Sequence, residues 1–239
     1  MVGKTKTGGN NAMRNRRKFL GAAVAASAIL FAAGASAQDV KRYRFAHDQQ
    51  LNTGYSVAYD MFSAKLKELS KGTMLVDQFP GAQLGQEPQL LQLVKSGDLE
   101  FAIVSSANTS TISPQAGVMS LHFLFRNEAH VIKALADKQV IDAIKAMIDD
   151  TAQGLHVIAT GSQGVRNIYS KKEVSKVDDV KGMKIRVQAT ATEDTMFPAY
   201  GAQTVHMPFG SVYTSLQTGV VDVAENGVNV YLANKHYEV

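Results

Sequence analysis

Two stretches of this chain share one local plan, and that plan restricts the fold more than anything else in the sequence. Ser96-Gly97-Asp98-Leu99-Glu100-Phe101-Ala102 follows one helical pattern, and Thr218-Gly219-Val220-Val221-Asp222-Val223-Ala224 follows another. Each unit is a helix, a terminal glycine, then an apolar strand run with an acid three residues after the glycine and an alanine two later. Glycine just past a helix suits the left-handed residue that closes it. A buried strand straight after a helix is the mark of a βαβ-type unit. Strands and helices alternate along most of the chain, so the fold class is α/β. Gly161-Ser162-Gln163-Gly164 lies between the two units and reads as a hinge or an ordinary loop. Two similar α/β lobes are therefore expected. Ligands of open α/β sheets bind outside the carboxyl ends of the strands, so facing lobes would form a cleft.

The local reading fills in the lobes. Strands are expected at Tyr43–Ala46, Met74–Val76, Leu99–Val104, Leu155–Thr160, Arg166–Ser170, Lys184–Val187 and Val220–Ala224. Helices are expected from Tyr55 to Leu69, with Ala58, Met61, Phe62, Leu66 and Leu69 inward, and from Glu87 to the stop at Gly97, with Leu90, Leu91 and Val94 inward. Pro88 is tolerated there because an early helical N–H has no intrahelical partner. Asn127 can cap a helix through Ala136, and Val140 to Ile148 carries another apolar stripe. Ser105 to Ser113 reads as a polar loop. Pro198 conflicts with a helix from Glu193 to Tyr200, since an interior proline costs about 3 kcal/mol; that helix is kinked or starts later.

The chain's net charge misleads unless the N-terminus is treated separately. Lys4, Lys6, Arg14, Arg16, Arg17 and Lys18 precede an uncharged, alanine-rich run from Leu20 to Ala35, and Ala35-Ser36-Ala37 fits a small-x-small cleavage site. This is the pattern of an export signal, and Asn15-Arg16-Arg17-Lys18-Phe19-Leu20 resembles a twin-arginine signal. Cleavage after Ala37 would remove six basic residues and leave 19 Lys and Arg against 21 Asp and Glu. The high pI therefore belongs to the signal, and no basic stripe with interleaved aromatics points to nucleic acid. There are no cysteines, which excludes disulfides and thiolate metal sites. The six histidines have no ligand-like spacing, so no metal or other cofactor is expected. No nucleophile elbow, phosphate loop or paired-carboxylate motif appears, so no catalytic residue is assigned.

One stretch, Gly182 to Asn226, concentrates the chemistry. Lys184-Ile185-Arg186-Val187 is a strand whose apolar residues face a core, leaving Arg186 to point the other way. Phe209 starts a helix that Gly219 ends, and Glu225-Asn226 follows the last strand. An arginine, an exposed aromatic and an amide are the parts of a small-anion cradle, because a guanidinium fork matches a carboxylate in two parallel hydrogen bonds. The residue types alone leave other roles open. Arg186 would also serve in a structural ion pair, Arg166 on a solvated strand edge and Phe209 in the core. Asn226 would serve in a turn, Glu87 as a helix-start acid and His47 in an exposed loop.

These segments resemble a known family. Gly81-Ala82-Gln83-Leu84-Gly85, Leu124-Phe125-Arg126-Asn127-Glu128-Ala129-His130, Gly182 to Val187 and Met207-Pro208-Phe209 through Asp222 with Glu225-Asn226 are similar to the solute-binding proteins of tripartite ATP-independent periplasmic (TRAP) transporters, of the DctP type. The resemblance covers nearly all of residues 40 to 239. It implies a periplasmic, two-lobed binding protein, not an enzyme, that captures an organic acid in the cleft and delivers it to TRAP membrane subunits. It implies Arg186 and Arg166 on the ligand carboxylate, with Phe209 and Asn226 beside them. His47 and Glu87 lie near where first-lobe contacts occur, and Asn108 sits in the polar loop after a strand end. The expected organisation is a signal peptide over 1–37, lobe I over 38–162 and lobe II over 163–239, acting as a monomer without nucleic acid. Family members usually run on further, so the second lobe is expected to be incomplete here. An ABC-type or sensory binding protein and an exported enzyme are the competing readings.

Overall fold

The computed structural model describes residues 39–239 apart from Gln153. The signal-peptide and twin-arginine readings fall outside the described residues. Residues 41–239 form one compact unit built on two sheets.

The first sheet has the order β2-β1-β3, with β1 at Lys41–Ala46, β2 at Met74–Phe79 and β3 at Phe101–Ala102, all parallel. Helices α1 (Gly54–Leu69) and α2 (Glu87–Ser96) connect them. Alternate residues of a strand face opposite ways, and β1 shows this directly. Phe45 packs on Tyr59 and Phe62 of α1, with ring centroids 5.3 and 5.6 Å away. Ala46 packs on the other side with Leu90 and Leu99. Gly97 closes α2 at φ 82°, in the left-handed region that glycine adopts without steric cost.

The inner face of α1 differs from the sequence reading. Met61 and Leu69 are each 70% exposed, and Tyr55, Tyr59, Phe62 and Leu66 line the inside. The aromatic rings select the face because they bury the most area against Phe45. Ser105 to Ser113 is not simply a loop. Ser105 caps a short helix α3 (Ser106–Thr109), and a 3₁₀ stretch covers Pro114–Ser120. Asn127 caps α4 (Glu128–Ala136) through His130 N, as its position suggested, and α5 (Lys138–Thr151) follows. Leu155 to Thr160 is apolar but forms no strand. Leu155 instead packs with Ala116, Ile148 and Ala152, so the run is used for packing and not for a ladder.

The second sheet has the order β4-β7-β5-β6. Its strands are β4 (Arg166–Ser170), β5 (Lys184–Val187), β6 (Gln203–His206) and β7 (Val223–Gly227). β5 is parallel to β6 and β7, and β4 runs antiparallel to β7. The sheet is covered on both faces. Ile185, Val187 and Val223 pack with Val180 and Phe197 on one side; Ala224 packs with Val212 and Leu216 of α7 (Val212–Thr218) on the other. The last strand lies three residues later than expected, so Glu225 and Asn226 are inside it, buried, and do not follow it. Helix α6 (Ala191–Ala199) starts earlier than Glu193, capped by the Thr190 hydroxyl, and Pro198 falls one residue before its end. A proline there deletes one terminal hydrogen bond and the helix stops, so no interior kink is needed. Helix α8 (Val228–Ala233) leaves β7 directly.

The segment around Gln163 crosses from the first sheet to the second. A Cβ on Gly227 would lie 2.5 Å from the Gln163 carbonyl oxygen, so that close backbone approach requires glycine.

Candidate functional site

Arg186 sits in the middle of β5 and is only 3% exposed. Strand alternation turns it away from Ile185 and Val187, toward the face that carries Met207 and Phe209. Its Nε and Nη2 donate to the Met207 carbonyl at 3.2 and 2.9 Å. Its Cζ lies 5.9 Å from the centre of the Phe209 ring, within cation–π range. Among the described residues no carboxylate lies within ion-pair distance of it. Burial lowers its pKa, the Glu225 carboxylate opposes that, and the neighbouring Arg166 adds repulsion. Such a group gains from any anion brought close to it.

Arg166 has a different environment. Its Nε donates to Glu225 Oε2 and its Nη2 to Glu225 Oε1 at 2.7 Å. Nη2 also reaches the Glu225 carbonyl at 3.0 Å, and Nη1 donates to Asn226 Oδ1 at 3.1 Å. The Arg166 side chain, on the edge strand β4, is still 42% exposed; partial burial works against its charge, but attraction and hydrogen bonds from Glu225 outweigh that and raise its pKa. Asn226 Oδ1 also accepts from Gly227 N at 2.9 Å. The strand pairing of β4 and β7 causes this arrangement, since Arg166 stands opposite Gly227 and Asn167 opposite Asn226. His236 packs against Phe209, with ring centroids 5.8 Å apart, and Tyr169 Oη lies 2.7 Å from its Nδ1. Burial and then Arg186 depress the His236 pKa to about 4, so at neutral pH it adds no charge.

The facing wall comes from the first sheet. Glu87, at the start of α2, is 3% exposed. Its Oε1 accepts from Tyr55 Oη at 2.8 Å. Its Oε2 accepts from Ser105 N, Ser105 Oγ and Asn108 Nδ2 at 2.9, 2.6 and 2.7 Å. Glu87 and Asn108 are thus brought together, and each holds the other in place. His47 is fully buried, not in an exposed loop. Gln78 Nε2 lies 2.9 Å from its Nε2. Burial lowers its pKa.

Three buried acids were not singled out from the sequence. Glu225 is one, paired with Arg166. Asp48 is another, 7% exposed, with its Oδ1 accepting from Gln49 Nε2 at 3.1 Å. Burial and then Glu87 push its pKa up to about 7. Glu193, on α6, keeps Oε2 without a hydrogen-bond partner, with His122 Nε2 at 3.7 Å. The signal for Asp48 was available, because polar residues that leave the carboxyl end of a strand in an α/β sheet line ligand sites. Glu193 had no such signal, since only the tertiary packing of α6 buries it.

Hydrogen bonds join the two walls. Gln188 Nε2, two residues after Arg186, donates to Ser105 Oγ at 2.7 Å, and Gly210 N donates to Gln86 Oε1 at 3.1 Å. Next to these contacts is a cavity of about 340 Å³, lined among others by Asp48, Gln86, Phe209, Tyr213, Lys235 and His236. Neither arginine lines it; Phe209 stands between it and Arg186. Among the described residues no cluster of three or more His, Cys, Asp or Glu is placed to hold a metal ion.

Comparison with known proteins gives this pair of α/β sheets and its buried arginine a family. The DctP family, described as bacterial extracellular solute-binding protein, family 7, matches residues 45–239, and the chain belongs to it. The 2,3-diketo-L-gulonate-binding periplasmic protein YiaO of Escherichia coli K12 is 32% identical over 197 residues, covering 82% of this chain and 59% of that protein. Among solved structures, a TRAP periplasmic solute-binding protein from Xanthobacter autotrophicus PY2 with bound β-D-galacturonate is 34% identical with a TM-score of 0.77, covering 82% of this chain and 65% of the other. One from Pseudomonas putida F1 with bound D-glucuronate is 30% identical with a TM-score of 0.78, over 83% and 64% of the two chains. The chain therefore spans about three fifths to two thirds of the length of these relatives.

Proposed function

We propose that this protein is a periplasmic receptor of a TRAP transporter that captures an organic acid and hands it to the membrane subunits. The observation that carries this reading is Arg186: a buried guanidinium with no acid partner among the described residues, beside an aromatic ring. In this reading Arg186 takes the ligand carboxylate, and the released energy is of the order of 1.5–3 kcal/mol per charge-assisted hydrogen bond. Arg166 lends one face while Glu225 fixes its orientation, Asn226 offers its amide nitrogen and Phe209 packs on the ligand's carbon frame. Glu87, Asn108 and His47 form the opposite wall, with Glu87 positioning Asn108 and Ser105. The two lobes run over 38–162 and 163–239, export removes the first 37 residues, and one copy suffices for binding. Relatives that hold uronates support the class of ligand.

A thermal-shift series tests it. Organic acids at millimolar concentration should raise the melting temperature by several degrees, as binding to the folded state requires. Their methyl esters, which lack the anion, should not. Equal shifts from acid and ester would remove the carboxylate from the reading.

A further inference from the structure

A further joint between the two walls forms where α6 meets the 3₁₀ stretch Pro114–Ser120 and the residues after it. Thr192 Oγ1 donates to the Gly117 carbonyl at 3.2 Å. His122 packs edge-on against Phe197, with ring centroids 4.7 Å apart, and stacks on Tyr200 at 5.7 Å. Phe197 belongs to the core of the second sheet with Ile185, Val187 and Val223. Ala116, just before His122 in the chain, belongs to another cluster with Ile148 and Leu155. His122 thus reaches from one core to the other. Its Nδ1 lies 3.2 Å from Tyr200 Oη, and its Nε2 lies 3.7 Å from Glu193 Oε2. The Glu193 side chain is 8% exposed, and its Oε2 has no hydrogen-bond partner. Buried polar groups are nearly always paired, so this carboxylate oxygen calls for a donor, and His122 faces it.

We propose that His122 and Glu193 are a positioning pair for ligand capture: they latch the two walls together in the closed receptor and slow the ligand's release, without touching the ligand. This rests on the acid-receptor reading and adds to it the device that holds the cleft shut.

The geometry fits a contact that closure completes. With the Tyr200 hydroxyl donating to Nδ1, the ring proton stands on Nε2 and faces Glu193 Oε2. At 3.7 Å the two atoms are within ion-pair distance, and an approach of about 0.5 Å makes the hydrogen bond. Separating the walls would take the His122 ring off Phe197 and return Glu193 to water. Glu193 therefore bears a desolvation cost only when the walls are together, and His122 offsets it there. Removing one partner of a buried pair leaves the other uncompensated, so loss of the His122 donor shifts the balance toward the open form. A ligand held in the cleft then leaves sooner.

The test measures association and release of D-galacturonate, D-glucuronate and succinate by surface plasmon resonance on the full chain. The variants are His122→Phe, His122→Gln, Glu193→Gln and the double variant His122→Phe with Glu193→Gln, each checked by its melting temperature. His122→Phe keeps an aromatic ring against Phe197 and Tyr200 but offers no donor. It should speed release about tenfold and change association less than about twofold. His122→Gln restores a donor and should release more slowly than His122→Phe. In the Glu193→Gln background the same His122→Phe change should matter less than about threefold, because the two side chains act as one unit. His122→Ala takes the place of His122→Phe in this cycle should the larger ring prevent folding. Release unchanged by loss of the donor, or speeded equally with and without Glu193→Gln, would overturn the latch while leaving the receptor reading intact. Unaltered, folded protein that binds none of the three acids would overturn both.

Discussion

At the residue scale, burial and charge compete at two positions, and their sum is measurable. His236 has its pKa depressed to about 4. Below about 6.5 the unfolded chain takes up a proton that the folded chain refuses, so this histidine's contribution falls as pH drops from about 6.5 to 4. Asp48 is raised to about 7. The unfolded chain ionises it near pH 4 and the folded chain does not, so its contribution falls as pH rises from about 4 to 7. The two slopes oppose each other over most of that window. Asp48→Asn should remove one of them. We expect urea unfolding to show the ligand-free variant gaining stability over the unaltered protein as pH rises from about 4 to 8, with near-parity at pH 4. Glu225→Gln acts in the opposite sense. It leaves Arg166 facing a neutral amide and should cost about 2 kcal/mol, less than for a fully buried pair because Arg166 is partly open. That Arg186 and Arg166 stand on strands was legible from the apolar residues around them. Asp48, Glu193 and the buried state of His47 were not, because burial of a loop residue depends on what another element puts over it.

At the element scale, glycine stops and capping residues were legible, and helix faces and strand ends less so. Gly97 and Gly219 both close helices at positive φ, 82° and 72°, as their position before a strand implied. The face of α1 was misjudged because Met61 and Phe62 are adjacent apolar residues, and spacing alone does not choose between them. A pair of substitutions separates the faces. Phe62→Ala should cost about 2–3 kcal/mol in urea unfolding, and Met61→Ala about 0.5 kcal/mol or less. The reverse order would place the helix on its other face. Leu155 to Thr160 shows the same limit: an apolar run records burial, and only a neighbouring strand makes it part of a ladder.

At the scale of the whole molecule, the segments around the two sheets are joined by the Gln188–Ser105 and Gly210–Gln86 hydrogen bonds and by His122 packed on Phe197 and Tyr200; in the proposed receptor some of these contacts form only in the closed state of an open–closed balance. A ligand shifts that balance only by its preference for the closed form, so contacts made only on closure tune affinity. A Cβ on Gly210 would come within 2.7 Å of Gln86 Nε2. The amide end is flexible and would move, giving up its bond to Gly210 N. Gly210→Ala should therefore weaken acid binding severalfold, in line with about 1 kcal/mol for one hydrogen bond, with little change in ligand-free stability. The α/β class and the crossing near Gln163 were readable from alternation and from two glycines. The pairing of β4 against β7, which places Glu225 on Arg166, was not, because strand order is a long-range property. The most direct test of the central claim is calorimetric titration of a sugar acid into Arg186→Ala beside the unaltered protein at neutral pH. The account predicts one saturable site in the unaltered chain and a loss of about 100-fold or more in the variant, at similar melting temperature. Affinity unchanged by the loss of the Arg186 guanidinium would contradict it.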